Sequence, residues 1–263
     1  SPSAGIAPVP DDVPVTLSHS AIDRYTTCPL QYYFSDVAHI PLAPTPSRMY
    51  GDALHHAIQV YHQHVLKGLP ISDEDVLSAF EEAWSNEGFL TPAHEERMFA
   101  KGREAMLAFL RRERASGVKP VAIESEFRFT VGRDIVVGRF DRIDERPEGI
   151  VLVDYKSSAV DESDRALDRA TRSAEEGQLG LYALAYLETR GAMPVRGELH
   201  FLASGLIGAV DITPEHLDQA RERIETAAAG IRAADFTPHP EARACAICDF
   251  RAICRSSASR RNT

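Results

Sequence analysis

Gly138-Arg-Phe-Asp-Arg-Ile-Asp-Glu-Arg-Pro-Glu-Gly-Ile-Val-Leu-Val-Asp-Tyr-Lys156 decides the fold of this 263-residue chain. Two runs with strand character, Ile135 to Asp144 and Ile150 to Lys156, flank Arg146-Pro147-Glu148-Gly149, a turn composition. With those four residues as the hairpin loop, Glu145 pairs with Ile150. The same register sets Asp141 directly opposite Asp154. Directly opposed residues have Cβ atoms about 5 Å apart, so two unpartnered carboxylates there would repel each other. A divalent cation resolves the conflict, because hard cations take oxygen ligands. Asp154 and Lys156 lie two apart on a strand and share one face. Ile150 to Val153 is too apolar for a solvated edge, which disfavours a pair of surface aspartates.

The segments on either side frame this hairpin. Upstream, Val121, Ile123, Phe127, Phe129 and Val131 alternate with Glu124, Glu126 and Arg128, as in a strand, and Gly132-Arg133-Asp134 is a turn. Before Gly117 the chain is almost wholly helical. Helices are expected over Leu17 to Thr27, with Ser18 as cap, and over Ser47 to Leu66, Ser72 to Asn86 and Pro92 to Ala115. In the second of these Leu54, Ile58, Tyr61 and Val65 form a buried stripe. Downstream, one long helix is expected over Ala170 to Arg190. Short strands follow near Glu198 to Ala203 and Ile207 to Ile212, and a last helix covers Pro214 to Ala233. The fold class is therefore α/β: a mixed sheet with an N-terminal helical elaboration.

Composition bounds the function classes. With 44% hydrophobic and 26% charged residues the chain is an ordinary globular one. No apolar run is long enough to span a bilayer, and the start lacks the features of a signal peptide; a cytoplasmic location is expected. Residues 1–16 read as a linker rich in Pro, Ser and Ala, and the absence of an initiator Met suggests a domain of something longer. The remainder, 17–263, reads as one domain with its core at about 117–212. A net charge of −10 excludes a protein that coats duplex DNA by charge alone. It suits a site that clusters carboxylates around cations, which change the local sign. Local basic patches remain, at Arg111, Arg112 and Arg114 and at Arg255, Arg260 and Arg261.

The carboxylate–lysine set suits phosphodiester hydrolysis. A metal polarises the phosphoryl oxygen and lowers the pKa of water, and a lysine stabilises developing negative charge. His55 is the candidate third ligand, sharing a helix face with Gly51, although a lone histidine there is more often a core residue. Gln178 and Tyr182, four apart on a helix, project together and could bind phosphate or a base; packing is the alternative. The four cysteines are Cys28 and the group Cys245-x-x-Cys248 and Cys254. Their number and spacing suit either a tetrahedral zinc or an iron–sulfur cluster.

Taken together, Gly51-x-x-x-His55, Gly138-x-x-Asp141, Asp154-Tyr155-Lys156 and Gln178-x-x-x-Tyr182 resemble the RecB-type branch of the PD-(D/E)xK nucleases. The resemblance implies a restriction-endonuclease-like core and Mg2+ or Mn2+ as cofactor. It implies metal ligation by His55, Asp141, Asp154 and the Tyr155 carbonyl, with Lys156 as catalytic lysine. It implies that Gln178 and Tyr182 belong to the motif that follows the active site, with DNA as partner. Glu124 matches an acidic position on the first strand to which no role is given. The cysteine pattern is similar to that of AddB-type and CRISPR-associated nucleases, implying a [4Fe-4S] cluster on Cys28, Cys245, Cys248 and Cys254. Such a cluster would join both ends of the domain and close a loop of more than 200 residues. By analogy with a disulfide this constrains the unfolded chain by roughly 5 kcal/mol.

The stretch Leu17 to Pro29 is similar to the start of nuclease domains fused to superfamily 1 helicases. No phosphate-binding Gly-x-x-x-x-Gly-Lys-Ser/Thr loop is present, so any motor lies on another chain or outside this sequence. The expected function is metal-dependent hydrolysis of DNA, single-stranded and delivered by a helicase in break repair. The alternatives are a non-catalytic, cluster-stabilised docking module of a helicase and an RNA nuclease.

Overall fold

The computed structural model describes residues 6–258. In chain order the elements are β1 (Thr16–Leu17), α1 (His19–Thr27), α2 (Pro29–Tyr32), a π-helical turn (Tyr33–Val37), α3 (Pro46–Lys67), α4 (Asp73–Glu82), α5 (Pro92–Ser116), β2 (Pro120–Val131), β3 (Asp134–Arg146), β4 (Gly149–Lys156), α6 (Ser163–Glu176), α7 (Gln178–Arg190), β5 (Arg196–Phe201), β6 (Ile207–Asp211), α8 (Pro214–Arg232) and α9 (Ala242–Ile247). The six strands form one mixed sheet in the order β1-β3-β4-β5-β6, with β2 also paired to β3. The α/β class with a helical N-terminal half is as the sequence indicated. Among the described residues no helix is long and apolar enough to cross a membrane.

The chain divides into two compact units. One holds the residues up to Leu42, Arg128–Gly138 and those from Asp218 on; the other holds Ala43–Phe127 and Arg139–Leu217. In the first unit, β1 pairs in parallel with the start of β3, Thr16 against Ile135. Ser18 Oγ accepts from the Ala21 N–H and caps α1. The segment expected to be a linker is held down. Arg232 donates to the Pro10 and Val13 carbonyls at 2.8 Å, and Val15 N donates to Asp134 at 2.8 Å. Arg232 is itself ion-paired with Asp134. Extended backbone lacking periodicity is thus anchored through its own polar groups; residues 1–5 lie outside the described residues. So do Arg260 and Arg261 of the expected basic tail.

In the second unit the helices start and stop where their caps dictate. Thr45 and Thr91 side chains cap α3 and α5, each followed by proline at the first helical position. Ser72 and Asp75 form a capping box on α4. Gly68 and Gly117, both with φ near +65°, end α3 and α5. The apolar stripe of α3, with Leu54, Ile58 and Tyr61, packs on Phe80, Met106, Phe109 and Leu110 and on Val151, Val153 and Tyr155 of β4. Of the arginines expected to form a patch on α5, Arg114 pairs with Asp73.

Two expectations need correction here. The β3–β4 hairpin has a two-residue loop, Pro147-Glu148, because Arg146 and Gly149 already pair; Gly149 accommodates this with φ +133°. The register is nevertheless the expected one, with Glu145 against Ile150 and Arg142 against Val153. The long helix over 170–190 is instead two helices broken at Gly177, whose φ of −139° and ψ of −147° lie outside the helical region. The preceding helix begins at Ser163 and buries only Ala166, Ala170 and Ala174. That stripe of small residues gives a weak apolar signal, so the sequence understates the helix's length.

Behind β4 lies a buried polar network. Arg142 is 2% exposed. It donates to Asp144 at 2.6 Å, Glu113 at 2.6 Å and the Tyr155 hydroxyl at 3.0 Å. Arg146 joins Asp144 to Glu198. Burial first, then the Arg142 and His200 charges, push His62 down to about 2. His62 Nε2 and the Tyr155 hydroxyl share a hydrogen bond of 2.9 Å. Burial opposes ionisation of Glu198, but hydrogen bonds from His200 and Arg146 outweigh it and bring Glu198 down to about 2. Alternation along β4 puts this network on the face opposite Asp154 and Lys156.

Candidate active site

The candidate site gathers at the end of the β3–β4 ladder, within the second unit. The paired ladder ends at Arg142–Val153, one residue short of Asp141 on β3 and of Asp154 on β4. Asp141 Oδ2 accepts a hydrogen bond from the Tyr155 N–H at 3.0 Å. Burial first, and the Asp154 carboxylate second, push Asp141 well above the usual carboxylate range; the Tyr155 N–H partly offsets this. The conflict between two carboxylates read from the sequence is therefore present. Asp154 is 1% exposed, and its Oδ2 lies 2.7 Å from Lys156 Nζ.

His55 projects from α3 towards Asp141, with Nδ1 at 3.9 Å from Oδ2. Gly51 lies one turn earlier on α3. It lets the strand exit approach, since a Cβ there would meet Ser157 Oγ at 3.1 Å. Glu124 completes the group. His55, Glu124 and Asp141 each offer a ligand atom within 4.8 Å of the others, and among the described residues no other such group of three exists. Asp154 is thus not part of the tightest triad; it stands beside it, paired to the lysine.

Sequence reasoning gave Glu124 no role, because alternation along β2 placed it with Glu126 and Arg128. The structure breaks that alternation: Glu124 has φ +49°, a left-handed conformation that costs a non-glycine residue of order 1–3 kcal/mol. Val121, expected to face inward, is half exposed. No pattern in the side chains announces a single left-handed residue. Arg139 holds Glu124 Oε2 at 2.9 Å. A cleft lined by His55, His56, Glu124, Arg139, Asp141 and Tyr182 opens over the triad.

Gln178 and Tyr182 act on the lysine side. The break at Gly177 makes Gln178 the first residue of α7. Lys156 Nζ donates to Gln178 Oε1 at 2.8 Å, and Gln178 Nε2 donates to the Tyr182 hydroxyl at 2.6 Å. Tyr182 is buried against Phe127 and Phe140. Burial, then Asp154 and Asp141, push its hydroxyl well above its ordinary value. An ammonium has three donors; Gln178 accepts from one, whereas Asp154 Oδ2, though within ion-pair distance, has no hydrogen-bond partner.

Two carboxylates and an imidazole, backed by a third carboxylate and a lysine, form a donor set suited to a divalent cation. The sequence profile of the PD-(D/E)XK nuclease superfamily matches residues 16–255. The chain belongs to that superfamily. No curated protein sequence matches it. Among solved structures, a Eubacterium rectale protein provisionally named an exonuclease aligns with TM-score 0.51 and 10% identity. It covers 85% of this chain and 83% of that one. SSO0001 aligns with TM-score 0.41 and 13% identity over 92% and 86% of the two chains. This PD-(D/E)XK nuclease thus has the mixed α/β fold of its superfamily and, in His55, Glu124 and Asp141, a group able to hold a divalent metal.

The nuclease's cysteines lie in the first unit. Cys28 precedes α2, Cys245 lies in α9, Cys248 ends it, and Cys254 follows. All four are free thiols and line one pocket with Leu30, Phe34 and Phe250. Cys28 Sγ accepts from the His239 N–H at 3.4 Å. Burial, with smaller contributions from Cys254 and Cys28, raises the Cys248 thiol.

Proposed function

We propose that this chain hydrolyses phosphodiester bonds of DNA with Mg2+ or Mn2+, acting in the cytoplasm on single strands delivered by a helicase. The observation that carries the reading is the convergence of His55, Glu124 and Asp141 beside the Asp154–Lys156 pair. His55, Glu124, Asp141 and Asp154 would hold the cation, with the Tyr155 carbonyl at the same strand end. When bound, it supplies Lewis-acid polarisation of the phosphoryl oxygen and a lowered pKa for water. Lys156 Nζ keeps an N–H for a phosphoryl oxygen and would stabilise charge as it develops there. Gln178 fixes the ammonium, and the buried Tyr182 fixes Gln178, so the lysine's donors are oriented before substrate arrives. The two residues would shape the strand's path through the lysine they position.

The test is cleavage of an end-labelled single-stranded DNA by the purified chain in Mn2+, Mg2+ or EDTA. Cutting in either metal and none in EDTA is expected. A folded protein that cuts neither DNA nor RNA in any metal returns the weight to a non-catalytic docking module. Preferential cutting of RNA would replace the substrate.

We propose further that Cys28, Cys245, Cys248 and Cys254 hold a [4Fe-4S] cluster. They converge on one mostly apolar pocket although more than 200 residues separate Cys28 from Cys245. Cys248→Ser should lower iron content and the melting temperature together; unchanged iron and melting would remove the cluster from the description.

A further inference from the structure

We propose that Arg169, assisted by Arg172 one turn along α6, binds a backbone phosphate of the nucleic acid strand next to the one being cut. The inference rests on the reading that the chain acts on DNA, and it adds a side chain from an element outside the carboxylate–lysine set. Its ground is the placement of the Arg169 guanidinium. That group stacks over the Phe201 ring, 4.9 Å from the centroid. Phe201 is the direct partner of Lys156 in the parallel β4–β5 ladder. Neighbouring strands lie about 4.8 Å apart and paired residues share a face, so the stacked guanidinium stands on the same side of the sheet as the lysine. Its Nη1 also donates to Ser158 Oγ at 2.8 Å, two residues beyond Lys156. Two independent contacts thus fix it at the strand end where the site lies.

The charge is fixed but not neutralised. Among the described residues no carboxylate is within ion-pair distance of Arg169, whereas Arg165, one turn back, is occupied by Asp161 and Glu162. Burial, and then Arg172, depress the Arg169 guanidinium, while Asp154 is near enough to counter them. A half-buried guanidinium beside a second cation and without a bound anion gains most from an incoming one. Stacking uses one face and Ser158 one N–H. Of the five donors of a guanidinium enough remain for the two-pronged hydrogen bonding that matches a phosphate. Arg172 is exposed and reaches only the Asp168 carbonyl, at 3.4 Å, so it is free to take the same phosphate or the next.

The experiment is fluorescence-anisotropy binding of a labelled single-stranded oligodeoxynucleotide in EDTA, so that no strand is cut, from 50 to 300 mM salt. Arg169→Gln should weaken binding about 5- to 10-fold at low salt and reduce the salt slope by roughly 0.7, the value of one phosphate contact on a single strand. Arg169→Lys should keep the slope and lose part of the affinity, since it preserves charge but not the fork. Arg165→Gln on the same helix should change neither. Equal affinity and slope in Arg169→Gln and wild type would overturn the proposal, as would a wild type that does not bind. So would equal losses in Arg165→Gln, which would mean that only the helix's general charge is read. Binding with these slopes but no cleavage in metal would sink the nuclease mechanism and leave the phosphate contact standing.

Discussion

Asp154→Asn should melt about 2–4 °C higher than the wild type without metal, while cutting DNA at least about 1,000-fold more slowly with it. The two effects have one cause. Asp141 and Asp154 follow the last pair of the β3–β4 ladder, with Asp154 1% exposed and the Asp141 side chain 15% exposed. Without a cation, burial and the Asp154 charge raise the Asp141 carboxyl well above the usual carboxylate range. An amide at 154 preserves shape and removes that repulsion, which favours the folded state. Lys156 loses its carboxylate partner but keeps Gln178 at 2.8 Å. Its side chain is 27% exposed, so water compensates for much of the loss. With Mn2+ present the order should reverse. The wild type gains stability by ligand linkage, and the variant, short of one anionic oxygen, gains less. Melting curves by scanning calorimetry, with and without Mn2+, read both quantities. A variant that melts lower in EDTA and still cuts would separate Asp154 from both the repulsion and the chemistry.

Arg142→Met should destabilise the fold by about 3–5 kcal/mol, the cost of leaving a buried charge without its partner. Asp144 is fully buried and Glu113 nearly so, and both are held by Arg142 at 2.6 Å. Methionine fills much of the volume, so the loss is electrostatic rather than a cavity. Tyr155 would also lose a donor to its hydroxyl while keeping its hydrogen bond with His62. In urea, unfolding followed by the fluorescence of the single tryptophan, Trp84, should shift to lower midpoint with little change in slope. Adding Glu113→Gln to Arg142→Met should recover part of the loss, because it removes one of the two stranded carboxylates while Arg146 still serves Asp144. A single variant within about 1 kcal/mol of wild type would mean that the desolvation of this arginine already cancels its pairing.

Much of the site was legible in the chain because it is encoded by neighbours. The β3–β4 register follows from a turn composition between two strands, and it held although the loop proved two residues shorter. Pairing is antiparallel, so shortening the loop symmetrically leaves Glu145 against Ile150 and every pair beyond it in place. Lys156 shares a face with Asp154 by the period of a strand, and His55 reaches the site from a helix whose apolar stripe fixes its rotation. The helix caps at Ser18, Ser72 and Thr45 were set by residues within one turn.

Other features depend on segments distant in sequence. Glu124 meets His55 and Asp141 from a left-handed backbone position, and nothing in the alternation of β2 signals that turn. The break at Gly177 has no proline to mark it, yet it delivers Gln178 to Lys156. Arg169 stands beside the lysine through Phe201, a residue of a different strand. Cys28 meets Cys245, Cys248 and Cys254 across most of the chain. The sequence by itself determined the β3–β4 pairing, most of the helices and which residue types carry the chemistry, because hydrogen-bond period and side-chain period act over a few residues. The tertiary structure alone decided which acid joins the triad, what holds the lysine and which arginine stands free, because those depend on where the remaining segments come to rest.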